Sequence, residues 1–234
     1  MDRKRIGSLI MTNIKFQMKY GFYFLYAVFT VLYLFVLSLV PSDMSEITVE
    51  LLIFSDPAVM GLFFMGAIVL LERNQRVIES LAVSPVCFEE YLIGKVVSIG
   101  IISIAVSGIL LAGAARHGTN EMSIIEIGAR ILAVFGASTF FSLLGVLAAF
   151  YSESLMQFVM YTIPVELVFS APGILQIFGI MPKWMCWCPG IMAMIGIRGN
   201  VMAAGLIYIW VVAAFVFVKA VAERKYRKEG GINL

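Results

Sequence analysis

The sequence predicts an all-α integral membrane protein, from its composition, its uncharged runs and the placement of its basic residues. Hydrophobic residues make up 61% of the 234 residues and charged residues only 14%, and the mean hydropathy is +0.97. A soluble domain of this length cannot cover so much apolar surface. We therefore predict a single transmembrane domain over residues 1–234.

Uncharged runs of about 20 residues, the length that crosses a hydrocarbon core of about 30 Å, give six predicted spans. Each is expected to be a helix, because a helix satisfies its own backbone groups in lipid whereas a barrel needs shorter alternating strands. The predicted spans are residues 21–40, 51–76, 90–115, 128–152, 154–180 and 200–220. In the second, Asp56 and Pro57 are expected to be a helix cap and a first-turn proline.

The basic residues are distributed unevenly, and their distribution predicts the orientation. With both termini in the cytoplasm, 13 of the 17 Lys and Arg residues lie inside. The four outside are Arg116, Arg130, Lys183 and Arg198. We therefore expect a multi-pass protein of a bacterial plasma membrane, with its basic side facing anionic lipid and no role for nucleic acid.

Residues 1–20 are predicted to form an amphipathic helix in the inner membrane interface. Its apolar stripe consists of Ile6, Leu9, Ile10 and Ile14, at spacings of three and four. The opposite side carries Lys4, Lys15 and Lys19, which are expected to meet lipid phosphate. The alternative is a basic anchor ahead of the first span.

The segment between the second and third spans, residues 72–90, carries the most polar chemistry. Charged residues let the second helix leave the membrane, and Ser84 and Pro85 are expected to cap and open the next helix. Between them lies the short, mostly apolar sequence VIESLAV. A helix, a turn and a helix in the one sizeable inner loop predict a docking surface for a cytoplasmic partner. The residues predicted to form it are Glu72, Arg73, Arg76, Glu79, Leu81, Ser84, Pro85 and Glu90.

The stretch DPAVMGLFFMGAIVLLERNQRVIESLAVSPVCFEEYLIGKVVS resembles the second and third spans of permease subunits of ATP-binding-cassette type-2 exporters. The shared features are the acid–basic pair Glu72-Arg73, the turn from Leu81 to Pro85 and the span entry from Glu90 to Lys95. Within that family the stretch is similar to the fluoroquinolone-export or multidrug permeases. The six-span order with an amphipathic amino-terminal helix extends the resemblance over the rest of the chain.

The resemblance implies the membrane subunit of an ATP-driven exporter for a hydrophobic or amphipathic small molecule, such as a drug-like compound, lipid or peptide. In such exporters two membrane subunits pair, as two copies or as related permeases, and the coupling helix of the inner loop fits a cleft of a cytoplasmic ATPase. This sequence has no GxxxxGK[ST] phosphate loop, so ATP and Mg are expected in a separate ATPase chain. The chain itself is expected to be non-catalytic and to bind no cofactor or metal.

The family also has a short re-entrant hairpin between the last two spans, and residues 181–199 fit that pattern. Trp184 and Trp187 are residue types of a membrane interface, and Pro189-Gly190 is a turn sequence. The apolar stretch that follows is too short to cross a bilayer. We therefore expect an outer re-entrant segment there.

Glu166 is the only acid that the sequence places deep in a predicted span, about 18 Å along the fifth helix at 1.5 Å per residue. An acid at that depth normally faces a cavity or a partner, and the nearby prolines can free backbone carbonyls. The predicted substrate pathway consists of Glu166, Pro164, Tyr161, Ser138 and Ser142. The alternative for Glu166 is a protonated carboxyl bonded to a neighbouring helix. The small residues at 138, 142, 145 and 149 form one face of the fourth span, and that face suits either a seam with a second subunit or packing within one subunit.

Two other classes of function stay open on the sequence. A secondary transporter driven by an ion gradient could use Glu166 for its proton, although the two halves show no repeated pair of broken helices. A non-transporting membrane anchor of a cytoplasmic ATPase would share every feature of the inner loop. An enzyme is disfavoured, because the sequence has one histidine, His117, and no clustered acids, HExxH or GxSxG pattern.

Overall fold

The structure is a computed structural model that describes residues 3–56, 60–82, 84, 86–115, 123–179, 185 and 187–229. All regular secondary structure in these ranges is helical, which confirms the predicted all-α class for this part of the chain. The helices are α1 (Arg3–Lys19), α2 (Phe22–Leu39), α3 (Ser42–Ser55), α4 (Gly61–Asn74), α5 (Val77–Ala82), α6 (Phe88–Ala115), α7 (Ile124–Tyr151), α8 (Leu155–Ile177), α9 (Pro189–Ile197) and α10 (Val201–Glu229).

In the described ranges, five helices are long and apolar enough to cross a membrane, namely α2, α6, α7, α8 and α10. They coincide with the predicted spans other than the second, because each charge-free run is long enough to form about five turns of helix. Large apolar side chains cover the outer face of α2, where Phe24 is 74% exposed and Phe35 is 62% exposed. These features are consistent with a multi-pass membrane protein.

The structure describes two α-helices within the predicted second span, residues 51–76. α3 ends at Ser55 and α4 begins at Gly61, and each has 14 residues, a rise of about 21 Å that does not cross a bilayer alone. The backbone of Asp56 is still helical, and its N–H donates to the Leu52 carbonyl. Met60, just before α4, has a helical backbone too, and residues 57–59 lie outside the described part of the chain. A capping bond from Asp56 to residues 57–59 would lie outside the described residues.

α7 lies at the centre of the bundle and contacts α4, α6, α8, α9 and α10. The hydroxyl of Ser142 donates to the Gly61 carbonyl at 3.3 Å. A Cβ added at Gly145 would lie 2.3 Å from the carbonyl oxygen of Leu62. Small residues let two helix backbones approach this closely. The small-residue face of α7 therefore packs against α4 within the chain, which is the alternative that the sequence left open.

α9 is a nine-residue helix whose side chains are almost all buried. It contacts α3, α7, α8 and α10, and its rise of about 14 Å is too short to cross a bilayer. At its crossing with α8, a Cβ on Gly190 would lie 2.0 Å from the Phe169 carbonyl oxygen. A Cβ on Gly173 would lie 2.5 Å from the carbonyl oxygen of Gly190. Only glycine fits at either position.

α1 packs against α6 rather than lying beside the bundle. The predicted stripe has the right register, since Ile6, Leu9 and Ile10 are partly buried. The buried face also includes two polar side chains, Asn13 and Gln17, which are 8% and 2% exposed. The predicted interface lysines Lys4, Lys15 and Lys19 are all exposed. α1 is therefore amphipathic as predicted, but its inner face binds protein through polar groups.

Candidate functional site

The α4–α5–α6 segment contains the predicted docking loop. Arg76 connects α4 to α5 with a φ of +56°, a left-handed conformation that is uncommon for a residue with a side chain. It allows the chain to turn sharply between the two helices. Ile78 of α5 is only 1% exposed, and α5 contacts both α4 and α10. The short helix is therefore held on the bundle by an apolar anchor.

The outer side of the loop carries Arg76 and Ser80, which are exposed, and Leu81, which is half-buried. The side chain of Glu79 and the whole of Pro85 lie outside the described residues. The hydroxyl of Ser84 donates to the Leu81 carbonyl at 2.6 Å, so it closes the end of α5. The prediction that Ser84 caps the next helix was wrong, because the carbonyls at the end of α5 are within its reach and α6 begins only at Phe88.

Glu90 has the capping role at the start of α6 instead. Its Oε2 accepts a hydrogen bond of 3.4 Å from the backbone N–H of Cys87. The side chain thus satisfies a backbone donor that a helix start leaves free. Because Glu90 is only 2% exposed, it supports the loop from within.

Glu72 is buried rather than presented to solvent. The Nζ of Lys95 donates to its Oε1 at 2.6 Å, and the Tyr91 hydroxyl donates to its Oε2 at 3.0 Å. Glu72 is 3% exposed and Lys95 is 1% exposed. The ammonium also lies 5.0 Å from the centre of the Tyr91 ring. This arrangement joins the last turn of α4 to the first turns of α6, the two helices on either side of α5.

The same polar cluster extends to α1. Lys95 also donates to Oδ1 of Asn13 at 3.4 Å. One turn further along both helices, Nε2 of Gln17 donates to the Ser98 hydroxyl at 2.9 Å, and that hydroxyl donates to the Lys95 carbonyl at 2.7 Å. We name Asn13, Gln17, Glu72, Tyr91, Lys95 and Ser98 the basal cluster. It connects α1, α4 and α6 beneath the loop.

Arg73 fixes the end of α4 to the end of α7. Its Nη1 donates to the Ala149 carbonyl at 2.9 Å and to the Ser152 carbonyl at 2.6 Å. These carbonyls belong to the last turn and the cap of α7, where helix groups lack backbone partners and the dipole favours a cation. Arg73 therefore holds the end of α4 against the end of α7. Its predicted contact with a partner protein stays a prediction.

An aromatic group covers the basal cluster from the side of α10. It consists of Phe88, Tyr91, Phe150 and Tyr226, whose neighbouring ring centroids lie 5.0–6.4 Å apart. Such distances suit edge-to-face and offset ring contacts. Lys219 of α10 also forms an ion pair with Glu89 of α6. The far end of α10 is thus attached to the base of the loop.

The predicted substrate-pathway residues do not share one surface. Ser138 and Ser142 of α7 have 0% exposure, and the Ser138 hydroxyl lies 3.3 Å from the Ser103 hydroxyl of α6. Tyr161 is 46% exposed and accepts a hydrogen bond from the Gln157 amide at 3.0 Å. The other two α8 residues, Pro164 and Glu166, are exposed and half-buried respectively. The two serines are thus buried in the core, while the other three predicted pathway residues lie on α8.

The sequence reasoning did not identify Asn13, Gln17 and Lys95 as site residues. A signal for the first two was present, since residues 6, 9, 13 and 17 share one helical face and the last two are polar. For Lys95 the signal was an isolated lysine in the first turns of an apolar span, which normally has a partner. Its partner Glu72 is 23 residues away in the sequence, so helical spacing does not predict the pair.

At the opposite end of the bundle, the predicted interface residue Trp187 is 64% exposed. Its carbonyl accepts a hydrogen bond of 2.7 Å from Nε1 of Trp210 in α10. Trp184 lies outside the described residues. An exposed indole at this end fits a membrane interface.

No protein-family model matches this chain, and no curated protein matches it. The resemblance to ATP-binding-cassette permeases therefore stays a prediction from the sequence. The described residues also contain no group of three His, Cys, Asp or Glu side chains that could hold a metal ion.

Proposed function

We propose that this chain is the membrane subunit of an ATP-driven exporter, coupled to a separate ATPase through residues 72–90. Its cargo would be a hydrophobic or amphipathic small molecule. The observation that carries this proposal is the basal cluster, because its Glu72–Lys95 pair, with 2.6 Å between Nζ and Oε1, joins the helices on both sides of α5. A loop with such a base is suited to transmit movement.

The basal cluster makes α4 and α6 move together at this end. Removing one partner of a buried ion pair typically costs about 3–5 kcal/mol. A small displacement of α5 should therefore move α4 and α6 together and leave the ion pair between them intact. Arg73 passes the same displacement to α7 through the Ala149 and Ser152 carbonyls. A partner that presses on α5 would therefore act on three helices of the bundle.

The exposed side of α5 supplies the proposed contact with the ATPase. Arg76 and Ser80 are exposed, and Glu79 lies between them in sequence. Ile78 is buried and attaches the helix from behind. A short helix with one buried anchor and polar neighbours can fit a cleft without losing its place on the bundle. This is the coupling role that the resemblance implies.

We infer that α3 and α4 together form the second span and that α9 is the outer re-entrant segment. The two 14-residue helices rise about 42 Å in all, more than a hydrocarbon core of about 30 Å. This arrangement keeps six spans with both termini in the cytoplasm.

The outer face of α8 is the proposed location for the substrate or a second membrane subunit. Met156, Met160 and Leu167 are 73%, 67% and 63% exposed, and the half-buried Glu166 lies on the same helix. A carboxylate beside flexible apolar side chains suits a cationic amphipathic compound. A second copy or a related permease would complete the other wall.

Site-specific photo-crosslinking tests the docking surface. A photoreactive residue replaces Ser80, which is exposed on α5, and the chain is irradiated in its native membrane. We expect a crosslinked partner whose sequence contains GxxxxGK[ST]. The matched control carries the probe at Ile124, which is 87% exposed at the start of α7 and should not capture that partner. Capture from both positions, or from neither, would count against the proposal.

Two assays separate the rival functions. A secondary transporter would purify without ATP hydrolysis and would lose transport when the ion gradient is collapsed. A non-transporting anchor would hold an ATPase whose hydrolysis does not respond to amphipathic compounds. The exporter proposal requires both a bound ATPase and a hydrolysis rate that rises with substrate.

A further inference from the structure

Asp56 is a buried acid that the proposed coupling does not use. It directly follows α3 and is 1% exposed. Neither carboxylate oxygen has a hydrogen-bond partner in the described part of the chain. A carboxylate in this position has lost its hydration, which only a hydrogen-bond donor, a cation or a proton can replace.

The described side chains that interact with Asp56 carry neutral hydroxyls. Tyr26 of α2 interacts electrostatically with Asp56, as does Tyr33, and Ser103 of α6 lies near both the acid and Tyr26. Tyr26 is 3% exposed, and its hydroxyl also has no hydrogen-bond partner among the described residues. Two buried polar groups with unused hydrogen-bonding capacity therefore lie close to each other.

No described basic side chain faces Asp56 from the elements around α3. The helices α2 and α9 contain no charged residue at all. The lysine of α6, Lys95, lies eight residues from Ser103, about 12 Å along the helix, and is bonded to Glu72. On α3 itself, Glu50 is paired with Arg198, with 2.8 Å between Oε2 and Nε. The cations near Asp56 are thus bonded to other acids.

We propose that Asp56 is a proton-binding site directly after α3. A proton needs no coordination shell, so it can neutralise a carboxylate whose described neighbours with polar side chains are hydroxyl groups. The neutral acid can also donate to the hydroxyl of Tyr26 or Ser103, which an ionised carboxylate cannot do. An isolated ionised acid at this depth would be far less stable.

Loss of the proton would change the surroundings of Asp56. An ionised Asp56 needs water, a cation or a hydrogen-bond donor beside it, and at 1% exposure it is out of contact with bulk water. Buried acids of membrane proteins commonly serve as proton sites. This inference does not depend on a partner ATPase.

Infrared spectroscopy of the purified chain in lipid tests the site. Wild type at neutral pH should show the carbonyl stretch of a protonated carboxyl, shifted by exchange into D₂O. Asp56→Asn keeps the shape of the side chain and should lose that band. Glu166→Gln, which removes the half-buried acid of α8, should retain it. Tyr26→Phe should keep the band but shift its frequency, since the acid loses a hydrogen-bond partner.

Two outcomes would overturn the proposal. The first is that Asp56→Asn removes ionised-carboxylate bands at neutral pH and leaves the protonated band intact. The second is that the wild-type carboxylate bands shift with sodium chloride and not with choline chloride, which would identify a cation site. If Asp56→Asn does not fold, wild type and Tyr26→Phe suffice. In that case the proposal is contradicted if the protonated band keeps its frequency in Tyr26→Phe and no protonated band is lost as the pH rises.

Discussion

Lys95 is the residue that connects most of the basal cluster. It is bonded to Glu72 and Asn13, and its charge lies over the ring of Tyr91. No local pattern predicts these contacts, because its partners come from α1 and α4. The sequence therefore predicts that Glu72 lies where α4 emerges from the membrane and faces a partner. In the structure its side chain is buried and paired with Lys95.

Replacing Lys95 by Met should leave the buried Glu72 without its cation. We expect a loss of about 3–5 kcal/mol in the free energy of unfolding, measured by denaturant titration in detergent. The double variant Glu72→Gln with Lys95→Met should recover most of it. Lys15→Met is the control, since Lys15 is exposed on α1. Equal stability of Lys95→Met and Lys15→Met would show that the pair contributes little.

Glu166 is placed on α8 as the sequence predicted, and it is half-buried. If its charge serves the substrate, Glu166→Gln should raise the half-stimulating concentration of cationic compounds about tenfold, since losing a charged contact costs ~1.5 kcal/mol. Neutral compounds should stimulate ATP hydrolysis as before. Glu153→Gln, at an exposed acid ahead of α8, is the matched control. Equal changes for both compound classes would assign Glu166 a structural role.

Among the helices, the contact between α4 and α7 depends on close backbone approach. A Cβ at Gly145 would lie 2.3 Å from the Leu62 carbonyl oxygen, whereas at Gly108 of α6 nothing lies within 4 Å. Gly145→Ala should therefore destabilise the protein by about 1–3 kcal/mol. Gly108→Ala should be neutral or stabilising by up to ~1 kcal/mol. Thermal unfolding of both variants in the same detergent measures the contrast, and similar melting temperatures would contradict this packing.

The predicted helices and the observed helices agree where a charge-free run is long and unbroken. The exception is the second span, in which the structure describes two 14-residue helices, α3 and α4, with residues 57–59 between them outside the described part of the chain. The sequence predicts that Asp56 caps the start of a helix, whereas its backbone continues the last turn of α3 and donates to the Leu52 carbonyl. Within the predicted outer segment, residues 181–199, α9 begins at Pro189. Pro189-Gly190 therefore starts a helix, where the sequence predicted a turn, because proline is well tolerated in the first turn of a helix.

For the whole molecule, the distribution of basic residues predicts which end faces the cytoplasm. In a variant without its native cysteines, Glu46→Cys and Trp187→Cys should react with an impermeant reagent in sealed cells. Ser80→Cys should react only after the membrane is opened. All three positions are exposed, so reactivity reports the side of the membrane. Labelling of Ser80→Cys in sealed cells would reverse the orientation.

The proposed coupling of α5 to ATP hydrolysis is tested most directly by reversing the charge at Glu79 in the assembled complex. Glu79→Arg should abolish the rise in ATP hydrolysis caused by an amphipathic substrate, while membrane insertion and ATPase binding persist. Glu46→Arg makes the same change at an exposed position of α3, and it should leave stimulated hydrolysis at the wild-type rate. Wild-type stimulation in an assembled Glu79→Arg complex would contradict the proposed coupling.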